Sequence, residues 1–233
     1  MILKNIQKEK IFKFEYYIKI VKLLKKNKYS FARFDKKNKQ KRIYLRHDID
    51  FSPKYLHKFL KYYEKEKISS NIFFMINAKT YNLLEKKNIE FINQISKKHC
   101  CGLHIDLKEI DSKEISSLIN FFKKRLNIEN VISFHRPKKK DLKINVNNKN
   151  YINAYDKYFF NKKTYVSDSA QKQNFHLKLL NLIDKNEHKI QLLTHPVWWQ
   201  DKISKKEIRK FLLKDQLDEI NFFYHENGVF KIN

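Results

Sequence analysis

The sequence predicts an α/β protein whose parallel strands close into a (β/α) barrel. Short runs of β-branched and aromatic residues alternate with stretches whose apolar residues recur at helical spacing, the mark of parallel βαβ units. Ionisable residues gather at the ends of those runs, where the active-site rim of a parallel α/β fold lies. About six or seven such units close more naturally as a barrel than as an open sheet, with a Rossmann-like sheet as the fallback.

The elements follow in order. Residues 9–26 carry Phe14, Tyr17, Ile18, Val21 and Leu24 at helical spacing. Residues 43–49 read as the first strand, and Ser52-Pro53 supplies a cap and a first-turn proline. Leu56, Phe59, Leu60 and Tyr63 form the apolar stripe of the helix after it. Residues 71–77 form a second strand, Ile92 and Ile95 mark a helix, and 101–106 form a third strand. Ile115, Leu118, Ile119, Phe122 and Leu126 make a clear helix before a fourth strand at 131–135. Residues 138–163 read as a long loop, with strand candidates at 164–169 and 189–195. Ser204 and Glu207 have capping-box spacing ahead of Ile208, Phe211 and Leu212, and 229–232 is a last strand candidate.

Composition bounds the rest. The 233 residues fit one domain spanning the chain, with no linker or internal repeat, and 42% hydrophobic residues are enough for a substantial core. The net charge of +26 is spread over lysines in nearly every block of ten, which reads as a compositional bias rather than a binding stripe. A specific nucleic-acid partner is not expected, because motif and clustered charge should then appear together. The densest run, Lys138–Lys140, reads as a solvated loop. With only two glycines there is no Gly-rich phosphate loop. No signal-peptide pattern and no apolar stretch of membrane-spanning length stands out, so a cytoplasmic protein without a transmembrane segment is expected. Cys100 and Cys101 read as reduced, buried thiols. Neighbours on a strand face opposite ways, so the two do not easily share a zinc ion.

The chemistry collects at strand ends: Asp48 and Asp50, His104 and Asp106, His135 and Arg136, Asp168, and His195. Singly, each has an ordinary reading as a helix cap or a satisfied structural residue. Together, on five strands, they converge on one rim. Alternation puts Arg46, Asp48 and Asp50 on one face and His47 on the other. Two carboxylates on one face repel unless a cation lies between them or one is protonated. A divalent metal at Asp50, orienting a water toward Asp48, is an arrangement for metal-assisted hydrolysis.

These pieces resemble a known family. "RHDID" (46–50), "NIFFMIN" (71–77), "HCCGLHID" (99–106), "FHRP" (134–137), "YVSDS" (165–169) and "LLTHPVWW" (192–199) occur in the order of the polysaccharide deacetylases, carbohydrate esterase family four, in a divergent Arg-His-Asp-x-Asp branch. The resemblance covers about residues 42–200. It implies a distorted (β/α) barrel, usually of seven strands, and hydrolysis of an N-acetyl or related acyl group on a carbohydrate or glycan precursor. It implies Asp48 as general base, Asp50 and His104 as ligands of a divalent metal, commonly zinc, and Arg136 as the arginine orienting the base. It also implies Asp168 as a supporting carboxylate and His195 as general acid.

Lys108 stands where the family's second metal histidine falls. Asp106, on the same strand face as His104, and His135, on the neighbouring strand, are the candidates to replace it. The lysine also raises a competing reading, a carbohydrate-binding protein that kept the fold and lost the metal. Trp198 and Trp199 either stack on a sugar ring or close the barrel.

Overall fold

The computed structural model describes residues 11–36, 39–143, 150–171, 174–200 and 204–228. The order of elements is α1 (Phe14–Lys26), β1 (Ser30–Phe31), β2 (Arg42–Ile49), α2 (His57–Glu66), β3 (Asn71–Met75), α3 (Lys86–Ile95), β4 (Cys100–Ile105), α4 (Ile115–Lys123), β5 (Val131–Phe134), β6 (Ile152–Asn153), β7 (Tyr165–Ser167), α5 (Phe175–Asp184), β8 (Lys189–Thr194) and α6 (Lys205–Glu226). Seven strands form one path in the order β6-β5-β4-β3-β2-β8-β7, with β1 added on β2, and every pairing is parallel. The result is a distorted (β/α) barrel.

Expected elements recur with shifted ends. Ser52 accepts from the Lys54 amide ahead of a 3₁₀ turn at Pro53–Leu56, which leads into α2. Ser204 and Glu207 form a full capping box at the start of α6. Three elements lie outside the expectations. β1 and β6 have two residues each, too few to show an alternation. β6 lies inside the stretch read as loop, where Ile152 pairs with Val131. α5 was not expected either, although its buried Phe175, His176, Leu179, Leu180, Leu182 and Ile183 fall on one broad face. The strand candidate at 229–232 lies outside the described residues.

Strand alternation sorts the side chains into two environments. Outward-facing Ile43, Leu45, Ile190 and Leu192 pack against residues of α1, α2 and α5, such as Tyr17, Phe59 and Leu179. Outward-facing Ile72, Phe74, Leu103 and Ile132 pack under α3 and α4. Inside, Tyr44, Phe73, Cys100 and Val131 build an apolar floor with Phe34 and Phe159. Both cysteines are free and buried, Cys100 in this floor and Cys101 in the outer layer. His47, pointing outward, bonds Tyr63 Oη at 2.6 Å and Thr194 Oγ1 at 2.7 Å. Burial pushes its pKa down to about 3, so it is neutral. Gly102 is required by close approach, since a Cβ there would run into the Val131 carbonyl and side chain.

The sheet does not close by backbone bonding: β6 and β7 are its two edges. Rings fill that seam. Tyr155 lies 5.3 Å from Phe160 and 6.2 Å from Tyr165, centroid to centroid, and Phe160 lies 5.1 Å from Tyr165. Among the described residues no helix is long and apolar enough to cross a membrane.

Candidate active site

Climbing β2 on its inner face, Tyr44 belongs to the floor, Arg46 sits above it, and Asp48 and Asp50 reach the C-terminal end. Arg46 is fully buried. A buried guanidinium requires a partner. It has one two residues on: Nε and Nη2 donate to Asp48 Oδ1 and Oδ2 at 2.8 and 2.7 Å. Its remaining donors reach Gln191 Oε1 at 3.2 Å and Tyr155 Oη at 3.1 Å, and it lies 4.7 Å over the Tyr155 ring. Burial alone would raise the Asp48 pKa, but Arg46 outweighs it and holds the carboxyl below the usual range.

Asp50 is ringed by imidazoles from three strand ends. His104 Nε2 stands 3.3 Å from Asp50 Oδ1 and 3.5 Å from Asp48 Oδ2. His195 Nε2 and His135 Nε2 stand 3.7 and 3.9 Å from Asp50 Oδ2. Oδ1 of Asp50 is buried yet accepts no aligned hydrogen bond. Burial opposes its ionisation, but the three histidines prevail and set its pKa well below the usual carboxylate range.

Each imidazole is held from behind. His135 Nδ1 meets Asp106 Oδ2 at 3.0 Å. That contact occupies Nδ1 and leaves Nε2 as the nitrogen turned toward Asp50. His104 Nδ1 meets Ser133 Oγ at 2.7 Å, and β4–β5 register sets these two residues opposite each other. His195 Nδ1 meets Asp168 Oδ1 at 2.5 Å, while Asp168 Oδ2 accepts from the His195 amide and from Trp199 Nε1 at 2.9 and 2.8 Å. Burial would lower the His195 pKa, but Asp168 outweighs it and the value rises to about 9.

A cavity of about 900 Å³ opens over this cluster. Asp48, Asp50, His104, Asp106, His135, Arg136, His195 and Trp198 line it, and Asp168 lies behind His195. Three placements differ from expectation. The arginine on Asp48 is Arg46, whereas the Arg136 side chain is exposed at the rim with its backbone at φ 45°. The Asp106 carboxylate is taken up by His135 and by the Lys108 amide, which donates to Oδ1 at 3.0 Å. Trp199 is fully buried among Phe12, Tyr17 and Phe175, with no ring face toward the cavity. Trp198 does line the cavity, and its indole N–H is buried without a hydrogen-bond partner. Lys108 is exposed and outside the lining.

Ser133, Tyr155 and the part played by Arg46 carry no local motif. The signal for Arg46 was the shared face with Asp48; the signal for Ser133 was strand register, which needs the pairing itself. Tyr155 follows β6 inside the stretch read as loop.

No protein-family model matches the sequence, and no curated protein matches it. Among solved structures the chain is similar to a peptidoglycan deacetylase of Bdellovibrio bacteriovorus, at 15% identity and TM-score 0.48, over 82% of this chain and 53% of that one. It is similar to the chitin deacetylase of the fungal pathogen Colletotrichum lindemuthianum, at 13% identity and TM-score 0.47, over 81% of this chain and 85% of that one. It is also similar to a family-four carbohydrate esterase pseudoenzyme of Bacillus anthracis, at 13% identity and TM-score 0.41, over 78% of this chain and 62% of that one. The chain thus spans about half the length of the first, and the likeness is one of fold.

Among the described residues no three His, Cys, Asp or Glu side chains are already drawn together as a cation cage. The donor set nevertheless fits a divalent ion. Donors about 2.0–2.1 Å from one tetrahedral ion lie roughly 3.3–3.4 Å apart. The His104 Nε2–Asp50 Oδ1 separation of 3.3 Å has that value, while His135 Nε2 stands 3.9 Å from the other oxygen, Oδ2. The unpartnered, buried Asp50 Oδ1 facing His104 Nε2, an imidazole held from behind by Ser133, is the remaining mark of fit.

Proposed function

We propose that the chain is a metal-dependent hydrolase that removes an N-acetyl or related acyl group from a carbohydrate or glycan precursor. The observation that carries the reading is the surrounding of Asp50: its buried, unpartnered Oδ1 is faced by His104, its Oδ2 by His135 and His195, and Asp48 lies on the other side of His104. Asp50, His104 and His135 would hold the metal, zinc being the ion best matched to two imidazoles and a carboxylate. When bound, it polarises the amide carbonyl and lowers the pKa of water.

The chain's own residues do the rest. Arg46 keeps Asp48 ionised and turned toward the cavity. Each carboxylate oxygen keeps a free lone-pair position despite the two bonds from Arg46, so Asp48 takes the proton from the attacking water. His195, protonated on Nε2 and held by Asp168, gives a proton to the leaving amine as the C–N bond breaks. The products are a carboxylate and a free amino sugar. Asp106 and Ser133 aim His135 and His104. Trp198 offers an apolar face to the sugar.

Lys108 favours a second reading, a fold that binds glycan without turnover. One experiment separates them: metal content of the purified chain, with acetate release from N-acetylated oligosaccharides and sugar precursors, for wild type and Asp50→Asn. Metal and acetate in the wild type, both lost in the variant, support the hydrolase. Bound metal without acetate from a broad panel leaves the binding protein; absence of metal after zinc loading removes the hydrolase.

A further inference from the structure

We infer that His47 and Thr194 are positioning residues: their side chains lock the last rung of the β2–β8 ladder and so set His195 against Asp48 and Asp50. The sheet order divides the site in two. Asp48, Asp50, His104 and His135 come from the side that runs from β2 to β5, and Asp168 and His195 follow β7 and β8. Among the described residues, the β2–β8 ladder is the only backbone pairing that joins these halves, because β6 and β7 are open edges. It runs from Arg42 opposite Lys189 to His47 opposite Thr194 and stops there. Asp48 is the next residue on β2, and His195 is the next after β8. Asp50, His104 and His135 keep their mutual spacing through the β2–β3, β3–β4 and β4–β5 ladders, the first of which continues to Ile49. His195 and its Asp168 are tied to them by a backbone ladder only through the rung below.

That rung carries a hydrogen-bond chain with a single direction. Tyr17, Tyr63, His47 and Thr194 are all fully buried. Burial keeps both phenols protonated and the imidazole neutral, so the ring carries one proton. Among the described residues Tyr17 Oη meets only Tyr63 Oη, so the Tyr17 proton goes there. Tyr63 O–H then donates to His47 Nε2 at 2.6 Å, and His47 Nδ1–H donates to Thr194 Oγ1 at 2.7 Å. The Thr194 hydroxyl is left to donate to the Arg46 carbonyl at 3.4 Å. The reverse direction would strand the Tyr17 proton in the core. One hydroxyl of β8 thus holds β2 at two points, the His47 ring and the Arg46 carbonyl, one residue short of His195. Apolar residues of the same shape could fill this layer at little cost in stability. What the polar chain adds is a fixed register at the junction of the two halves.

The catalytic consequence rests on the hydrolase reading, and the test has an arm that does not. Wild type, Thr194→Val, Thr194→Ser and Tyr63→Phe are compared as full chains, zinc-loaded, with folding checked by denaturant melts. Thr194→Val keeps the shape and removes the hydroxyl. Its kcat for acetate release from N-acetylated oligosaccharides should fall about 10–100-fold, with KM and zinc content within a few-fold of wild type. Thr194→Ser should recover most of the loss. Tyr63→Phe, which empties His47 Nε2 of its donor, should lower kcat in the same way to a smaller extent, and it stands in for Thr194→Val if that variant does not fold. An unchanged kcat in the folded variants overturns the proposal, as does a serine variant as slow as the valine one, or a fall in zinc content that matches the fall in kcat. A wild type that releases no acetate counts against the hydrolase reading alone, and crystal structures then decide the placement. His195 Nε2 should stay about 3.7 Å from Asp50 Oδ2 in wild type and Thr194→Ser and move away in Thr194→Val. The same separation in all three overturns the proposal.

Discussion

Arg46 and Asp48 stand two residues apart on one strand and meet through two parallel hydrogen bonds, of 2.8 and 2.7 Å, in the interior of the barrel. Both side chains are almost wholly removed from water. Such a pair is weak evidence for stability in itself, but breaking it leaves an uncompensated buried charge. Arg46→Ala should therefore destabilise the fold by about 3–5 kcal/mol. Arg46→Lys keeps the charge but not the fork, so it should leave metal affinity intact while turnover falls. Denaturant melts, metal content and acetate release of the two variants check this. A lysine variant as active as wild type would remove Arg46 from the chemistry.

The two aspartates of β2 should separate by readout. Asp50→Asn should lose metal and activity together, because a charged ligand is gone. Asp48→Asn should keep the metal while activity drops by roughly 100-fold or more, the scale of a general base. Equal metal loss in both would show that the carboxylates share one role.

His135 should matter for metal, and Lys108 should not. His135→Ala should abolish tight binding. Asp106→Asn, which loosens the hold on His135 Nδ1, should weaken it by about 10–100-fold. Lys108→Ala should leave it unchanged, since that side chain lies outside the cavity. Isothermal titration with zinc measures all three; a Lys108 variant that loses the metal contradicts the ligand set.

Arg136 sits at the rim, so Arg136→Ala should raise KM and leave kcat within a few-fold of wild type. A fall in kcat at unchanged KM would place it on the reacting groups instead.

The His195–Asp168 pair predicts a pH dependence of stability in the chelated protein. The folded pKa of His195 is raised, to about 9 from 6.5. Its contribution is therefore complete below pH 6.5 and is lost as pH rises through about 9. Asp168→Asn should flatten that loss and lower the stability near neutral pH. Unfolding free energies of both proteins across pH 5.5–10 decide it, and parallel curves would count against the pairing.

Much of the fold was legible because its strands and most helices are long enough to carry a period. β1 and β6 were not, being two residues each. The candidate site was legible as residue types at strand ends. What escaped was pairing between them. Arg46 and Arg136 both stand in motifs of the candidate site, and only packing shows that the buried guanidinium on Asp48 comes from β2 itself. Asp106, by strand face, and His135, from the neighbouring strand, were both candidate ligands, and the side-chain contact between them shows one holding the other. Trp198 and Trp199 are neighbours in sequence, yet only the first reaches the cavity.

The unpaired seam between β6 and β7 has a consequence for how the molecule breathes. Among the described residues no ladder hydrogen bond joins those two edges, so amide exchange there should be limited by the packing of Tyr155, Phe160 and Tyr165 rather than by sheet opening. The same three rings line the cavity, and Tyr155 also accepts from Arg46. A filled cavity should thus slow exchange at a sheet edge that no ligand touches through its backbone. Deuterium uptake along β6 and β7 becomes a gauge of occupancy, readable even for a ligand that is never turned over.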